Sequence, residues 1–230
     1  MSHYAVAVFS DDGFFDYLLE PYDENNKKYY VFEPVPYEQI EEDFAKFRKQ
    51  NPSWTLDMFI EEYGYIEKDG QWGYEHNPQG YWDWYSLDGK DYLFDLKEDC
   101  ASCDEDEDFD GDYRKNDYDW YPDNSEDVKE AEKFWDEYVE QGLDVDGIVL
   151  WSRDYYRDRF KTKKQFVKET SRTVPYAFIT PDGVWHSPGR IGWFACSDET
   201  AEDWEKYVKE WDAWIASEAN PYVNLVDCHI

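Results

Sequence analysis

The chain has 230 residues, among them 12 Trp, 21 Tyr and 14 Phe, and its 55 acidic against 23 basic residues give a formal net charge of −32. So many rings exclude an intrinsically disordered acidic chain, because such chains are poor in aromatic residues. The charge excludes ordinary binding to nucleic acid through phosphate neutralisation and disfavours a membrane surface. No window approaches the ~18 apolar residues of a spanning helix, and no signal peptide is recognisable. We expect a folded, cytoplasmic protein with basic partners.

Hydrophobic periodicity and turn residues predict helices and strands in irregular order. The predicted elements are a strand at 4–9, a strand at 29–32, a helix at 37–47, hairpins within 64–94, a helix at 128–138, a strand at 147–151, a hairpin at 174–186, a helix that starts near 197–200 and a strand at 222–228. Because no regular βαβ rhythm appears, the pattern favours an α+β fold, with a mixed or antiparallel sheet, several amphipathic helices packed on it and a long acidic loop. We expect one domain over 1–230, with an acidic insertion at about 95–124.

The negative charge is concentrated in one quarter of the chain. Residues 95–146 contain 22 acidic and five basic residues, a net charge of −17. The densest run consists of Asp104, Glu105, Asp106, Glu107, Asp108, Asp110 and Asp112. Charge at this density is neutralised by metal, matched by a basic partner or left in water.

A metal is one way to neutralise this run. The pattern Asp106-x-Asp108-x-Asp110-Gly111, with Asp117 at the twelfth position, has the oxygen-ligand spacing of a calcium loop, so calcium is the possible cofactor. Against it, the twelfth residue is usually a bidentate Glu, Arg114 stands at the ninth position, and the flanks do not resemble helices. A solvated acidic loop is the simpler interpretation.

Cysteine and histidine provide two weaker hypotheses. Cys100-x-x-Cys103 is half of a zinc site, which Cys196, Cys228, His186 or His229 would have to complete, but the chain contains no second Cys-x-x-Cys. His186 could act as a general base with Asp182 or Asp227. No established catalytic motif is present. A binding role is therefore expected over an enzymatic one, and we assign no catalytic residues.

A basic partner is the other way to neutralise the charge. Rings within the acidic segment could anchor such a partner while carboxylates steer it. The predicted partner-binding residues are Asp104, Glu105, Asp106, Glu107, Asp108, Asp110, Asp112, Asp117, Tyr118, Asp119, Trp120 and Tyr121. Residues 153–172 invert the charge, with eight basic against three acidic residues. This basic segment is either an anion-binding patch or an internal counterweight to the acidic loop.

Several stretches carry a resemblance. They are Tyr4-Ala5-Val6, Trp82-Asp83-Trp84-Tyr85-Ser86, Asp154-Tyr155-Tyr156 to Phe160, Tyr176-Ala177-Phe178-Ile179-Thr180-Pro181-Asp182-Gly183-Val184-Trp185-His186, Gly192-Trp193-Phe194 and Val226-Asp227-Cys228-His229-Ile230. With these motifs the chain resembles a family of hypothetical proteins common in phages and prophages of Gram-positive bacteria. The acidic loop and its Cys pair depart from that family's pattern. The resemblance implies a phage accessory protein in the host bacterial cytosol, but no catalytic residues.

Charge and resemblance together predict a phage-encoded acidic binding protein. Its partner would be a basic host protein, a nucleic-acid-binding defence effector such as a CRISPR effector, a restriction enzyme or a related nuclease. The mechanism would be mimicry of nucleic acid, with no direct binding to nucleic acid or membrane. Two alternatives stay open: an enzyme or binder acting on a nucleotide signal, with phosphates held by residues 153–172, and a calcium-binding phage accessory protein.

Overall fold

The structure is a computed structural model that describes residues 3–87, 94–97, 113–122, 124–145, 149, 151–191 and 197–230. It has the predicted α+β fold, with mixed and antiparallel sheets. Where the sequence predicted one domain, the chain divides into two compact units. Residues 1–18 and 84–230 form the first unit, and residues 19–83 form the second. The division arises because the inserted residues pair their strands among themselves.

The helices and strands follow one another without a repeating order. In the chain they are β1 (His3–Ser10), α1 (Asp16–Leu19), β2 (Val31–Pro34), α2 (Tyr37–Phe47), α3 (Leu56–Glu62), β3 (Ile66–Lys68), β4 (Gln71–His76), β5 (Trp84–Ser86), β6 (Asp95–Leu96), β7 (Tyr118–Asp119), α4 (Ser125–Phe134), a π-helical continuation (Trp135–Gln141), α5 (Arg153–Phe160), α6 (Lys163–Thr170), β8 (Ala177–Ile179), β9 (Trp185–His186), α7 (Ala201–Ile215) and β10 (Tyr222–His229). Single 3-10 turns lie at Glu20–Tyr22, Lys27–Tyr29 and Lys115–Asp117.

The first unit is built on a five-stranded sheet in the order β5-β10-β1-β8-β9. β1 runs antiparallel to β10 along its whole length, from His3 opposite His229 to Ser10 opposite Tyr222, and parallel to β8. Residues 6–9 of β1 are completely buried. A strand covered on both faces needs apolar side chains at successive positions, which explains why both alternating sets of β1 are hydrophobic. β8 and β9 form the predicted hairpin.

Helix α7 covers one face of this sheet. Thr200 caps its first turn in a capping box with Asp203. The apolar stripe of α7 faces the sheet, with Tyr207 and Trp211 almost fully buried. The core that forms between them contains Ala7, Phe9, Phe94, Tyr118, Trp120, Phe178, Tyr207, Val208, Trp211, Val223 and Leu225. Burial of several rings, each of roughly 150–250 Å², makes this core the main apolar contribution to the stability of the unit.

Lys115 joins the acidic quarter of the chain to the end of α7. Its side chain is 1% exposed, and its Nζ donates to the carbonyl oxygens of Trp214 and Ser217 and to the Ser217 hydroxyl at 3.1, 2.8 and 3.0 Å. The last carbonyls of a helix lack partners within the helix and carry partial negative charge. An ammonium group at this position therefore closes the C-terminal end of α7. The backbone of Lys115 is fixed as well, because its carbonyl accepts the indole N–H of Trp120 at 2.6 Å.

A helical layer of α4, its π-helical continuation, α5 and α6 completes the first unit. Its small core contains Ala131, Trp135, Val139 and Phe166. The π-helical segment ends at Gly142, which has a left-handed backbone with φ of +73°. The left-handed backbone favours glycine, and a Cβ at this position would lie 2.3 Å from the Arg153 guanidinium, so that side chain would have to shift.

The second unit pairs a small sheet with two helices. Its strands lie in the order β2-β4-β3, all antiparallel. β2 starts at Val31, two residues later than predicted, because Lys27–Tyr29 form a 3-10 turn. Pro34 belongs to β2, which is tolerated because β2 is an edge strand. The ring of Phe47 in α2 lies tilted against the ring of Phe59 in α3, with the centroids 5.3 Å apart.

Candidate functional site

The whole predicted acidic run from Asp104 to Asp112, including the calcium candidates Asp106, Asp108 and Asp110, lies outside the described residues. Cys100, Cys103 and Cys196 lie outside them as well. The fourth calcium candidate, Asp117, is described. Its carboxylate accepts the backbone N–H of Arg114 at 2.7 Å and closes a 3-10 turn. Within the described ranges, no group of three or more His, Cys, Asp or Glu residues is arranged to hold a metal ion.

The predicted ring anchors do not all reach the surface. Tyr118 and Trp120 are only 6% and 5% exposed and belong to the core beneath α7, so the prediction that their rings present a docking surface is wrong. Tyr121 is 54% exposed, and its hydroxyl donates to Asp212. Asp119 is exposed and accepts the N–H of Tyr121. The alternation of Tyr118, Asp119 and Trp120 explains this pattern, since successive side chains of a strand point to opposite faces.

His186 does not pair with either carboxylate that the sequence suggested. Its Nδ1 lies 3.3 Å from Glu210 Oε2, and its ring stacks on Phe178 with centroids 4.4 Å apart. Asp182 instead accepts the Thr180 hydroxyl, and Asp227 pairs with His3. The nearest glutamate was missed because α7 brings it to β9 from 24 residues away.

The zinc candidates among the described residues are also held in the sheet. Cys228 is fully buried in β10, and burial in apolar surroundings raises the pKa of its thiol well above the usual value. A thiol that resists ionisation is a poor ligand and a poor nucleophile, because both roles require the thiolate. Cys228 therefore packs as a small apolar side chain of the core.

Two arginines of the basic segment bond to the backbone of the helical layer. The guanidinium of Arg153 donates to the carbonyl oxygens of Val139 and Glu140 at 2.6 to 3.1 Å, and Arg157 donates to Val139 at 2.7 Å. These carbonyls end the π-helical segment, where positive charge is favourable. Both arginines thus close a helix end, although the side chain of Arg157 is 46% exposed.

Other cations of this segment pair with carboxylates of the same unit. The pairs are Arg159 with Glu169 and Glu199, Lys163 with Asp136, Lys168 with Glu205, and Arg172 with Asp212. Arg159 and its two glutamates are largely buried, with side chains 10 to 15% exposed. The structure therefore supports the counterweight hypothesis in a modified form: the described partners lie in the helical layer and in or just before α7.

The helix formed by α4 and its π-helical continuation, with the residues just after it, carries many carboxylates that are not balanced in this way. Between 126 and 144, eight acidic residues stand against two lysines, a net charge of −6. We call these eight residues the carboxylate ladder: Glu126, Asp127, Glu130, Glu132, Asp136, Glu137, Glu140 and Asp144. Glu126 pairs with Lys129 and Asp136 with Lys163, whereas the other six make no described ion pair, although Lys163 also attracts Glu132 and Glu140. Most of them are exposed.

The ladder has a charge spacing close to that of a nucleic-acid strand. At about 1.5 Å of rise per residue, the 15 helical residues from 126 to 140 extend over roughly 21 Å and carry a net charge of −5, or about one net charge per 4 Å. One strand of duplex DNA presents a phosphate charge about every 3.4 Å of helix axis. A basic channel shaped for phosphates would therefore encounter a similar density of negative charge along this helix.

A groove lies beside the ladder, between α4 and α6. Its volume is about 550 Å³. Ala131, Phe134 and Phe166 form an apolar floor, and the carboxylates of Asp127, Glu130, Glu137 and Asp144 stand around it with Lys133, Val145 and Thr170. The rings of Phe134 and Phe166 stack at 5.6 Å with an angle of 22°. The groove thus combines ring faces with four carboxylates that lack cationic partners in the described part of the chain.

Comparison of the chain with protein-family models, with curated proteins and with solved structures gave no match. No helix among the described residues is both long enough and apolar enough to cross a membrane. The resemblance to phage and prophage proteins therefore stays a prediction. A function has to be argued from the ladder, the groove and the charge of the chain.

Proposed function

We propose that this protein is a phage- or prophage-encoded inhibitor that occupies the nucleic-acid-binding surface of a bacterial defence nuclease. The observation that carries the proposal is the carboxylate ladder, a row of mostly unpaired carboxylates on one helix with a spacing comparable to that of phosphates. The phage setting comes from the sequence resemblance alone. The class of target follows from the chemistry, because a Lys- and Arg-lined channel is the surface that complements such a row.

The distribution of cations along the ladder supports this proposal. Arg153 and Arg157 bond to the carbonyls of Val139 and Glu140, and Lys163 pairs with Asp136 and also attracts Glu132 and Glu140, so these cations offset the C-terminal part of the ladder. Asp127, Glu130 and Glu137 make no described ion pair. The charge of these three carboxylates is therefore available to a partner. At physiological salt it acts over about 8 Å, so it would steer the final approach of a basic surface.

The direct test is nuclease inhibition with defined enzymes. Purified protein would be added to DNA-cleavage assays with a panel containing a CRISPR effector nuclease and restriction endonucleases, at low and at high salt. We expect inhibition of one member at low salt, weakened steeply as salt rises. DNA without a cleavage site should compete with the inhibitor, because both would occupy the same channel.

A matched pair of triple variants isolates the ladder. Asp127→Asn, Glu130→Gln and Glu137→Gln remove three charges from the ladder. Glu38→Gln, Glu41→Gln and Glu42→Gln, whose carboxylates make no described ion pairs, remove three charges from the second unit. At about 0.2–1 kcal/mol for each exposed contact, the first set should weaken inhibition roughly tenfold at low salt, whereas the second should change it little. Equal effects of the two sets would refute a role for the ladder.

The predicted acidic run needs its own variant. Replacement of Asp104 to Asp112 by Asn, Gln and Ser should abolish inhibition if this run also enters the channel, while thermal denaturation should show an unchanged fold. If this variant inhibits normally, the run takes no part in mimicry and the ladder alone would have to provide it.

The two alternative functions keep separate tests. The nucleotide hypothesis requires free cations in residues 153–172, and the bonds of Arg153, Arg157 and Arg159 leave few of them. A shift of several degrees in melting temperature with a nucleotide would favour it. The calcium hypothesis predicts a melting shift with calcium that Asp108→Ala plus Asp110→Ala removes.

A further inference from the structure

The groove between α4 and α6 offers more than negative charge. A carboxylate row alone attracts any cation, but here the carboxylates surround a concave apolar floor. Its volume of about 550 Å³ falls in the range of small-ligand sites, which is roughly 300–1,000 Å³. This space is too small for a helix or a strand and large enough for one long side chain with bound water. The occupant that fits is therefore a single side chain.

The lining specifies the chemistry of that side chain. Four carboxylates against Lys133 favour a cation at the rim. The Phe166 ring is 5% exposed and stacks on Phe134, so the ring surface open to a ligand comes from the half-buried Phe134, against which a cation and its methylene stem would lie. Lysine satisfies the charge, but its compact ammonium is strongly hydrated. The guanidinium of arginine is planar and more weakly hydrated, stacks on rings and forms paired hydrogen bonds with carboxylates.

We propose that this groove receives an arginine side chain of the partner protein. The inference rests on the proposed function, since it specifies how the ladder engages a basic surface. Arginines that would otherwise contact phosphates are abundant in nucleic-acid-binding channels. One such arginine would enter the groove and place its guanidinium between Glu130 and Glu137. General electrostatic attraction would then be converted into a fixed docking position.

Two neighbouring glutamates allow a matched test. Glu130 lines the groove, whereas Glu132, two residues further along α4, is exposed and does not line it. Neither carboxylate makes a described ion pair, although Lys163 attracts Glu132 at longer range. Glu130→Gln and Glu132→Gln each remove one charge from the same helix. Only Glu130→Gln alters the groove.

The probes are labelled hexa-arginine and hexa-lysine peptides, and the readout is the dissociation constant from fluorescence anisotropy at low salt. We expect hexa-arginine to bind about three times more tightly than hexa-lysine. Glu130→Gln should weaken hexa-arginine binding about fivefold, and Glu132→Gln less than twofold. Phe134→Leu keeps an apolar floor but removes a ring face, so it should abolish the preference for arginine. A cation that lies over a ring at an exposed site binds about two- to fivefold more tightly, which is the size of the preference that would be lost. Thermal denaturation of each variant checks the fold.

The outcomes separate this proposal from the proposed function. Equal weakening by Glu130→Gln and Glu132→Gln, with salt-sensitive binding retained, would overturn the arginine groove and leave the ladder in place. Equal affinity for the two peptides would overturn it as well. Failure of the proposed function has a different signature: selective binding of hexa-arginine without inhibition of any nuclease in the panel. In that result the groove holds arginine, and the class of partner is wrong.

Discussion

The buried ammonium of Lys115 provides the sharpest test of the folding argument. Replacement by methionine keeps a stem of similar length in the core and removes only the charge. The carbonyls of Trp214 and Ser217 and the Ser217 hydroxyl would then lose their common donor, but the Trp214 carbonyl would keep the Ser217 hydroxyl and backbone N–H as donors. Leaving a buried acceptor unsatisfied costs about 1–3 kcal/mol, and a favourable charge at a helix C-terminus contributes up to ~2 kcal/mol. Water reaching some of these oxygens and the desolvation of the ammonium reduce the sum.

We therefore expect Lys115→Met to lower the free energy of unfolding by about 3 kcal/mol. For a chain of this size, that loss corresponds to a fall in melting temperature of roughly 6–12 °C. Urea denaturation followed by tryptophan fluorescence measures the change, and circular dichroism checks that the native fold persists. Lys206→Met is the matched control, because Lys206 lies on α7 with its side chain 78% exposed. A change below about 0.5 kcal/mol for Lys115→Met would refute the interpretation of this residue as the closure of α7.

Three further predictions follow from local geometry. Partial burial and the hydrogen bond to Asp212 on α7 raise the pKa of Tyr121 to about 12. The contribution of the protonated Tyr121 hydroxyl to stability should therefore be complete below pH ~10 and lost between pH ~10 and ~12. Ultraviolet titration of the parent protein against Tyr121→Phe measures the pKa of this hydroxyl. Gly142→Ala should cost about 2 kcal/mol, because it adds a clash with Arg153 to the backbone penalty, and Gly64→Ala, at φ of +66° with open space around it, should show the backbone penalty of about 1 kcal/mol alone. Arg159→Met leaves two largely buried glutamates without their cation and should cost about 3–5 kcal/mol in urea denaturation; a loss below 1 kcal/mol would contradict that burial.

Long periodic elements could be predicted from the sequence because their signal repeats many times. The stripe of α7, the run of apolar residues in β1 and the turn Pro181-Asp182-Gly183 each specify one local structure, and all three are observed. The division into two units was not predictable in this way. It depends on which strands pair, and the pairing of β2 with β4 is not encoded in either strand alone.

The sequence predicted only some residues of the candidate site. The physical reason why the others were missed differs from residue to residue. The alternation of Tyr118, Asp119 and Trp120 was a signal that two of the rings point inward, but the surrounding charge suggested exposure. No local signal marks Lys115, because its burial depends on the end of a helix about 100 residues away. The acidic residues of the ladder are visible in the sequence. Which of them lack cations depends on the fold, since Arg153 and Arg157 could have faced either side.

The pairing of β1 with β10 has a consequence for how the chain is made. Partners in this ladder lie 212 to 226 positions apart, so β1 leaves the ribosome long before its neighbour exists. At about 5–20 residues per second, the interval is roughly 10–40 s. During this time β1 presents an unpaired apolar edge, which is the kind of strand that recruits other chains. Residues 19–83 pair locally and can fold in the interval. The pairing of β1 with β10 therefore forms only after β10 has been released, whereas β8, the other partner of β1, is released earlier.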